Sequence, residues 1–321
     1  MKLLLHVSIF FAIPFISLSC VSVEKNALLQ IKKSFNNPRD LSTWTPQTDC
    51  CTAWNGVECT NGRVTGLGIL SNKFPGQIPD QIGDLVHLRN LQFINLPHLS
   101  GNIPRTITRL KNLDFLMFRQ TNLSGSIPDY ISELKNVTFL DLAFNQFTGP
   151  IPGSISQMPK LQVIRINDNK LTGSVPNSFG SFVGNHTILY LYNNKLSGKI
   201  PESLSKYDFK DVDLSGNNLI GDGSMFFGRN KTTVSVNLSR NKFEFDLSKV
   251  KFAKSIAFLR LSQNRIYGKL PRELIKLPLD QFNVSYNSLC GKIPRGGFLQ
   301  TFEPSAFSHN LCLCGTPLKT C

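Results

Sequence analysis

The sequence predicts an α/β solenoid: a right-handed superhelix of about ten repeats of 23–25 residues, with a parallel concave sheet and disulfide-capped ends. Three observations predict it. One phrase, L-x-L-x-x-N-x-Φ-x-G-x-I-P with Φ apolar, recurs between Arg63 and Pro294, most cleanly from Leu140 to Pro152. Its glycines, Gly76, Gly101, Gly125, Gly149, Gly173, Gly198, Gly221, Gly268 and Gly291, keep a period of 23 to 25 residues, the step from Gly221 to Gly268 spanning two repeats. The 8 cysteines fall in two clusters, Cys20, Cys50, Cys51 and Cys59 at one end and Cys290, Cys312, Cys314 and Cys321 at the other.

A period of this length and composition is a leucine-rich repeat, and it overrides the two or three domains that 321 residues would otherwise suggest. Within each repeat the L-x-L segment alternates, so its leucines face inward and the residues between them face out. The asparagines at the turn (Asn72, Asn145, Asn169, Asn194, Asn217, Asn241, Asn264 and Asn287) carry donors and acceptors suited to bare backbone groups of their own and the neighbouring coil. Glycine allows close backbone approach, and Ile-Pro gives an extended return. Three repeats depart from the frame. The second holds an extra residue before Gly101, the seventh lacks Ile-Pro after Gly221, and the eighth places Phe245 where glycine belongs.

The ends are read separately. Residues 1–19 carry Lys2, an apolar run from Leu3 to Ile13, the breaker Pro14 and small residues Ser17 and Ser19, the pattern of a cleaved signal peptide. That run is short of the ~20 apolar residues a spanning helix needs, so the mature chain is expected to be extracellular and not membrane-spanning, with no kinase domain behind it. Residues 20–62 form a cysteine-rich cap, 63–294 the ten repeats, and 295–321 a second cysteine-containing cap. In the first cap, apolar residues from Glu24 to Phe35 recur at helical spacing, predicting an amphipathic helix that covers the first strand edge. An oxidising compartment favours disulfides over zinc at Cys312-x-Cys314 and leaves three pairings open within each cluster.

A net charge of +14 favours polyanions, and the extracellular compartment selects acidic polysaccharide over nucleic acid. No catalytic constellation is found. His87, His98, His186 and His309 sit on turns or flanks without a nucleophile motif, and no cofactor is expected. Asp141 and Asp213 lie three strands apart, roughly 14 Å, beyond the spacing of a glycosidase carboxylate pair. Function is therefore assigned to the outward concave positions: Arg89, Gln92, Arg119, Gln120, Asp141, Phe144, Arg165, Asn167, Asp168, Tyr190, Tyr192, Asp213, Ser215, Arg240, Arg260 and Gln263. N-glycosylation sequons stand at Asn122, Asn136, Asn185, Asn230, Asn237 and Asn283; glycans at Asn237 and Asn283 would narrow the open face toward repeats two to seven.

The repeat body, the Asp49-Cys-Cys-x-x-Trp54 cap, and Leu311-Cys-Leu-Cys-Gly-x-Pro-Leu318 together resemble the plant polygalacturonase-inhibiting proteins, from Cys20 to Cys321. The phrases Leu123 to Asp129, Phe139 to Leu142, Asn230 to Thr233 and Asn283 to Asn287 are similar to that family's own. The resemblance implies a secreted cell-wall protein that binds fungal endopolygalacturonases through its concave face and slows pectin breakdown in defence. It implies the pairings Cys20–Cys50, Cys51–Cys59, Cys290–Cys312 and Cys314–Cys321. It also implies an acidic concave patch, which Asp141 and Asp213 match, while Asn167 stands where Asp is usual and Arg119, Arg165 and Arg260 make the face more basic. The positive charge is expected to hold the protein on pectin or polygalacturonate. Two other roles use the same fold: binding of a peptide or receptor ectodomain in signalling, and ice binding. The last favours a flat row of Asn or Thr that this mixed row does not offer.

Overall fold

The computed structural model describes residues 19–70, 75–182 and 188–321. The signal segment up to residue 18, Asn72, Asn185 and His186 lie outside the described residues. The fold is a coil whose concave wall is one long sheet: β1 (Val57–Thr60), β2 (Arg63–Leu70), β3 (Asn90–Gly101), β4 (Phe115–Ser126), β5 (Phe139–Asp141), β6 (Val163–Arg165), β7 (Ile188–Tyr190), β8 (Asp211–Asp213), β9 (Ser235–Asn237), β10 (Phe258–Arg260) and β11 (Gln281–Asn283), paired in that order. From β2 onward all pairs are parallel, and at the inward positions they keep one register. Leu67, Leu91, Leu116, Leu140, Ile164, Leu189, Val212, Val236, Leu259 and Phe282 stand side by side, almost fully buried. Period-two alternation thus delivers one apolar residue per coil to a continuous core.

The return limb is not α-helical. After Pro79, Pro104, Pro128, Pro152, Pro176, Pro201 and Pro271, whose backbones are extended, the chain makes a single short 3₁₀ turn that buries one apolar side chain, for example Ile107 or Leu204. Proline fixes φ and lacks an N–H, so it ends the extended limb and starts the turn without losing a hydrogen bond. Among the described residues, α-helix is confined to the N-terminal cap, in α1 (Ser22–Ser34) and α2 (Cys50–Ala53).

The asparagine ladder closes each turn. Asn217 Nδ2 donates to the carbonyls of Leu191 (3.0 Å), Leu214 (3.0 Å) and Ser215 (3.3 Å), while its Oδ1 accepts from the Leu196 N–H at 3.0 Å. Asn169, Asn194, Asn241, Asn264 and Asn287 repeat this pattern, tying each coil to the one before it. The residue before each of these asparagines has φ between 50° and 64°: Asp168, Asn193, Gly216, Arg240, Gln263 and Tyr286. The repeat glycine has its own constraint. At Gly268, with φ at 89°, a Cβ would stand 2.1 Å from Asp246 Oδ1.

The irregular repeats are absorbed locally. The extra residue of the second repeat is a register shift between Leu96 and Ser100 where β3 meets β4. Where Ile-Pro is missing, buried Phe226 and Phe227 fill the flank, with Phe227 5.1 Å from Phe252. Beside Phe245 the flank pairing is reduced to a single bridge between Asp246 and Tyr267.

The N-terminal cap corrects one expectation. The edge of β2 is covered by antiparallel β1, whereas α1 packs Ala27, Leu28, Ile31 and Phe35 into the end of the core. A hairpin strand supplies the backbone partners that an edge requires and a helix cannot. The Glu24 side chain of α1 is buried, and it accepts from Arg63 Nη2 (2.8 Å) and the Val64 N–H (2.8 Å), locking helix to sheet. Trp44 stacks on Trp54 at 5.5 Å. The four disulfides are Cys20–Cys50, Cys51–Cys59, Cys290–Cys312 and Cys314–Cys321, and no cysteine is free.

The C-terminal cap contains one more turn of the coil than the sequence reading assigns. Phe307 is buried, and Asn310 acts as a further ladder asparagine, donating to Val284, Phe307 and Ser308 and accepting from the Leu289 N–H at 3.1 Å. The shortened phrase Phe307-Ser-His-Asn310 is its signal in the sequence. Replacing Asn217 by Ala leaves a buried N–H and carbonyls unpaired, and chemical denaturation should show a loss of about 3 kcal/mol. Asn218→Ala, at the exposed neighbouring position, should stay within about 0.5 kcal/mol of the parent.

Candidate functional site: the concave face

The sixteen predicted face residues fall into three files set by register, plus one outlier. The first file is in register across the sheet and holds Gln92, Asp141, Arg165, Tyr190, Asp213 and Arg260, with Met117, Asn237 and Asn283 in the intervening strands. The second, two residues further along, contains Arg119, Asn167, Tyr192 and Ser215. The third contains Gln120, Phe144, Asp168, Arg240 and Gln263, all with φ between 52° and 58° in the left-handed turn before the ladder position. Arg89 precedes β3 and lies exposed at the rim, where its carbonyl accepts from the N–H groups of Asp114 and Phe115.

At the centre, Arg119 Nη1 donates to Asp141 Oδ2 at 3.3 Å, and Arg165 Nη1 lies 3.9 Å from the same oxygen. Rings fix both guanidinium groups. Arg119 lies over Phe144 at 4.9 Å, and Arg165 lies 5.3 Å from the rings of both Phe139 and Tyr190. Phe139 in turn stacks on Phe115, centroids 4.3 Å apart. Phe115 and Phe139 are absent from the predicted set. They precede the inward leucine and point outward by the same alternation, so period two could have found them.

Two predicted outward residues are not presented to solvent. The side chain of Asp141 is 0% exposed beneath the two arginines, and Asn167 is buried with its Nδ2 donating to Asp168 Oδ2 at 2.8 Å. Long guanidinium side chains close over the short carboxylate, and Asn167 is tied to Asp168 of its own turn. The other acids are committed as well. Asp213 Oδ1 accepts from the Ser215 N–H (2.9 Å) and Oγ (2.6 Å), and its Oδ2 from Asn237 Nδ2 (2.9 Å). Asp211 accepts the hydroxyl of Tyr190, and Asp168 accepts from Asn193 Nδ2 at 2.8 Å.

Burial is the largest influence on both central carboxyls. It raises Asp141 above its ordinary value, opposed in part by the Ala143 N–H and the two arginines. It raises Asp213 likewise, opposed by Ser215, Asn237 and Arg260. Burial and the bond to Asp211 hold the Tyr190 phenol protonated. Beyond Tyr190, a shallow hollow of about 400 Å³ opens over Ile188, Val234 and Phe258, with Lys210, Arg260 and the hydrogen-bonded Asp211 and Asp213 also lining it.

The sequons differ in how free their amides are. Asn122 and Asn230 are exposed, and Asn283 is half-buried. Asn136 Nδ2 donates to the Lys111 carbonyl at 2.7 Å, and Asn237 Nδ2 is held by Asp213 and Ser215.

The fold is that of an extended leucine-rich repeat protein, and the comparisons agree. Residues 21–60 match the Leucine rich repeat N-terminal domain, and residues 136–158, 160–182 and 187–207 match the Leucine Rich Repeat. The chain is 72% identical over 325 aligned residues to Leucine-rich repeat protein FLOR 1 of Arabidopsis thaliana, covering 100% of both chains. It is 60% identical to Polygalacturonase inhibitor 1 of the same plant, covering 94% of this chain and 92% of that one. A solved structure of a plant ice-binding protein superposes with a TM-score of 0.92 at 44% identity, covering 94% of this chain and 98% of the other. The chain belongs to the plant family of leucine-rich repeat proteins that includes the polygalacturonase inhibitors.

Both raised carboxyls titrate above 3.8. In the window from 3.8 up to those values the folded chain binds more protons than the unfolded chain, so this contribution to stability grows as pH falls through it. Carboxyl-carbon NMR should therefore place both midpoints above 3.8. The parent should also gain stability relative to Asp213→Asn as the pH is lowered through that window.

Proposed function

We propose that this chain is an extracellular, cell-wall protein that binds a secreted fungal endopolygalacturonase and inhibits it in plant defence. The concave face occludes the substrate cleft and supplies no chemistry of its own. The observation that carries this reading is the preorganised Arg119, Arg165 and Tyr190 cluster at the middle of a rigid sheet, in a chain 60% identical to a polygalacturonase inhibitor. Ordered Arg and Tyr side chains lose little conformational freedom on binding and are enriched where binding energy concentrates. Four disulfides fit an oxidising compartment, and no helix among the described residues is long and apolar enough to cross a membrane.

Charge supports retention on pectin. On the flank near the C-terminal end, Lys269, Arg272, Lys292 and Arg295 line a cleft of about 650 Å³ without an acidic residue. Such a cleft suits a polyuronate, and its attraction is screened by salt.

A second reading is an extracellular module that binds a peptide or receptor ectodomain in signalling or development. It is favoured by the relative at 72% identity, whose name carries no inhibitor activity. Ice binding draws no support from the concave files, which mix Arg, Asp and Tyr. A panel of fungal endopolygalacturonases separates the first two readings. At least one enzyme should be inhibited by the parent, and Arg165→Asp and Tyr190→Ala should each weaken inhibition by about tenfold or more. Inhibition of none would remove the inhibitor reading, and inhibition unchanged in both variants would move the site off the central face. On immobilised polygalacturonate the protein should be retained at low salt and released at high salt. Salt-independent retention would count against the charge mechanism.

A further inference from the structure

The acids of the concave face are consumed internally, and its cations are not. Asp141, Asp168, Asp211 and Asp213 each hold hydrogen bonds from neighbouring side chains or backbone. Arg119 and Arg165 share one carboxylate through single contacts of 3.3 and 3.9 Å, and the buried Arg165 Nε has no hydrogen-bond partner. Both are part-exposed, at 31% and 27%, and are held in place by rings rather than by the acid alone. Among the described residues, Arg89, Arg240 and Arg260 have no carboxylate within 4.0 Å. A partner approaching this face therefore meets two ring-held guanidinium groups that share a single carboxylate, and three further arginines outside ion-pair distance of any acid. The hollow over Ile188, Val234 and Phe258 adds an apolar seat on the same face.

We propose that the concave face recognises an acidic segment of a protein partner by two anchors, a carboxylate seated between Arg119 and Arg165 and an apolar side chain in the hollow over Ile188, Val234 and Phe258. Charge complementarity selects an acidic occupant. The apolar seat selects a polypeptide over a uronate chain, which has no apolar side chain to place there. The hollow is centred three to four strands from β5, about 14–19 Å at the usual strand spacing. An extended segment covers that span in about five residues. This deepens the concave-face reading by naming what the partner must present, and it reverses the acidic patch that the family resemblance implies.

The test is selection from a phage-displayed random peptide library on the purified full chain, followed by binding of the best peptides to Arg165→Gln and Asp141→Asn. Enriched peptides should carry Asp or Glu about five residues from a Phe, Trp or Leu. Their affinity should fall about tenfold or more on Arg165→Gln, as loss of a charge-assisted hydrogen bond requires. It should rise on Asp141→Asn, which removes the carboxylate that competes for both arginines; a general loss of structure would lower affinity in both variants. Enrichment of Lys and Arg, no enrichment, or affinities indifferent to both substitutions would overturn the proposal. So would calorimetric binding of an oligogalacturonate that depends on Arg165 while acidic peptides do not bind. The polygalacturonase panel is read separately. Acidic selection without inhibition removes the hydrolase and keeps the two anchors, and inhibition with basic selection does the reverse.

Discussion

Each coil of this fold has a turn where backbone N–H and C=O groups face inward, away from both strand pairing and water. Leaving them unpaired would cost about 1–3 kcal/mol each, repeated in every coil. The ladder asparagine answers that cost with one side chain that donates to carbonyls of two successive coils and accepts from an N–H of the earlier one. Its amide must sit inside the turn, and the chain reaches that position by placing the preceding residue in the left-handed region. Everything else follows in register: the leucines stack, the short 3₁₀ limbs stack, and the strands merge into one sheet.

The same constraint shapes the recognition face. Because Phe144, Asp168, Arg240 and Gln263 occupy the left-handed turn position, their directions are set by the scaffold rather than by their own packing. Strand spacing then brings side chains from consecutive coils within contact. Arg119, Asp141, Phe144 and Arg165 come from three successive repeats yet form one cluster. Burial raises the pKa of Asp141 against the pull of its two arginines and removes it from the surface, so an acidic letter in the sequence becomes part of a basic patch. Flat aromatic rings complete the frame, and the resulting surface is ordered before a partner arrives.

The scaffold was legible in the sequence because its rules are periodic. Leucine spacing, the asparagine at the turn and the Ile-Pro return each predicted a structural position, and the cysteine pairing followed from the family resemblance. Legibility failed where a residue's meaning depends on a neighbouring coil. Asp141 alternates outward like Arg165, and the arginines of the two adjacent coils bury it. Nothing local to Glu24 marks it as a core residue; Arg63 and Val64, some 40 residues away, hold its carboxylate there. The turn at Asn310 was hidden because the period breaks at Gly296 and Gly297 before the phrase returns in shortened form. The left-handed file left no compositional trace, since Gln, Phe, Asp, Asn, Arg, Tyr and Gly all occupy it.

The central claim is that the asparagine ladder makes the coils one cooperative unit that holds the concave face rigid. Native-state hydrogen exchange at the amides bonded to ladder Oδ1 atoms, those of Leu123, Phe147, Leu171, Leu196, Leu219, Phe243, Ile266 and Leu289, measures this directly. All eight should exchange slowly and with a shared opening free energy close to that of global unfolding. Rapid exchange at these amides, or independent opening of single coils around β5 to β8, would contradict it.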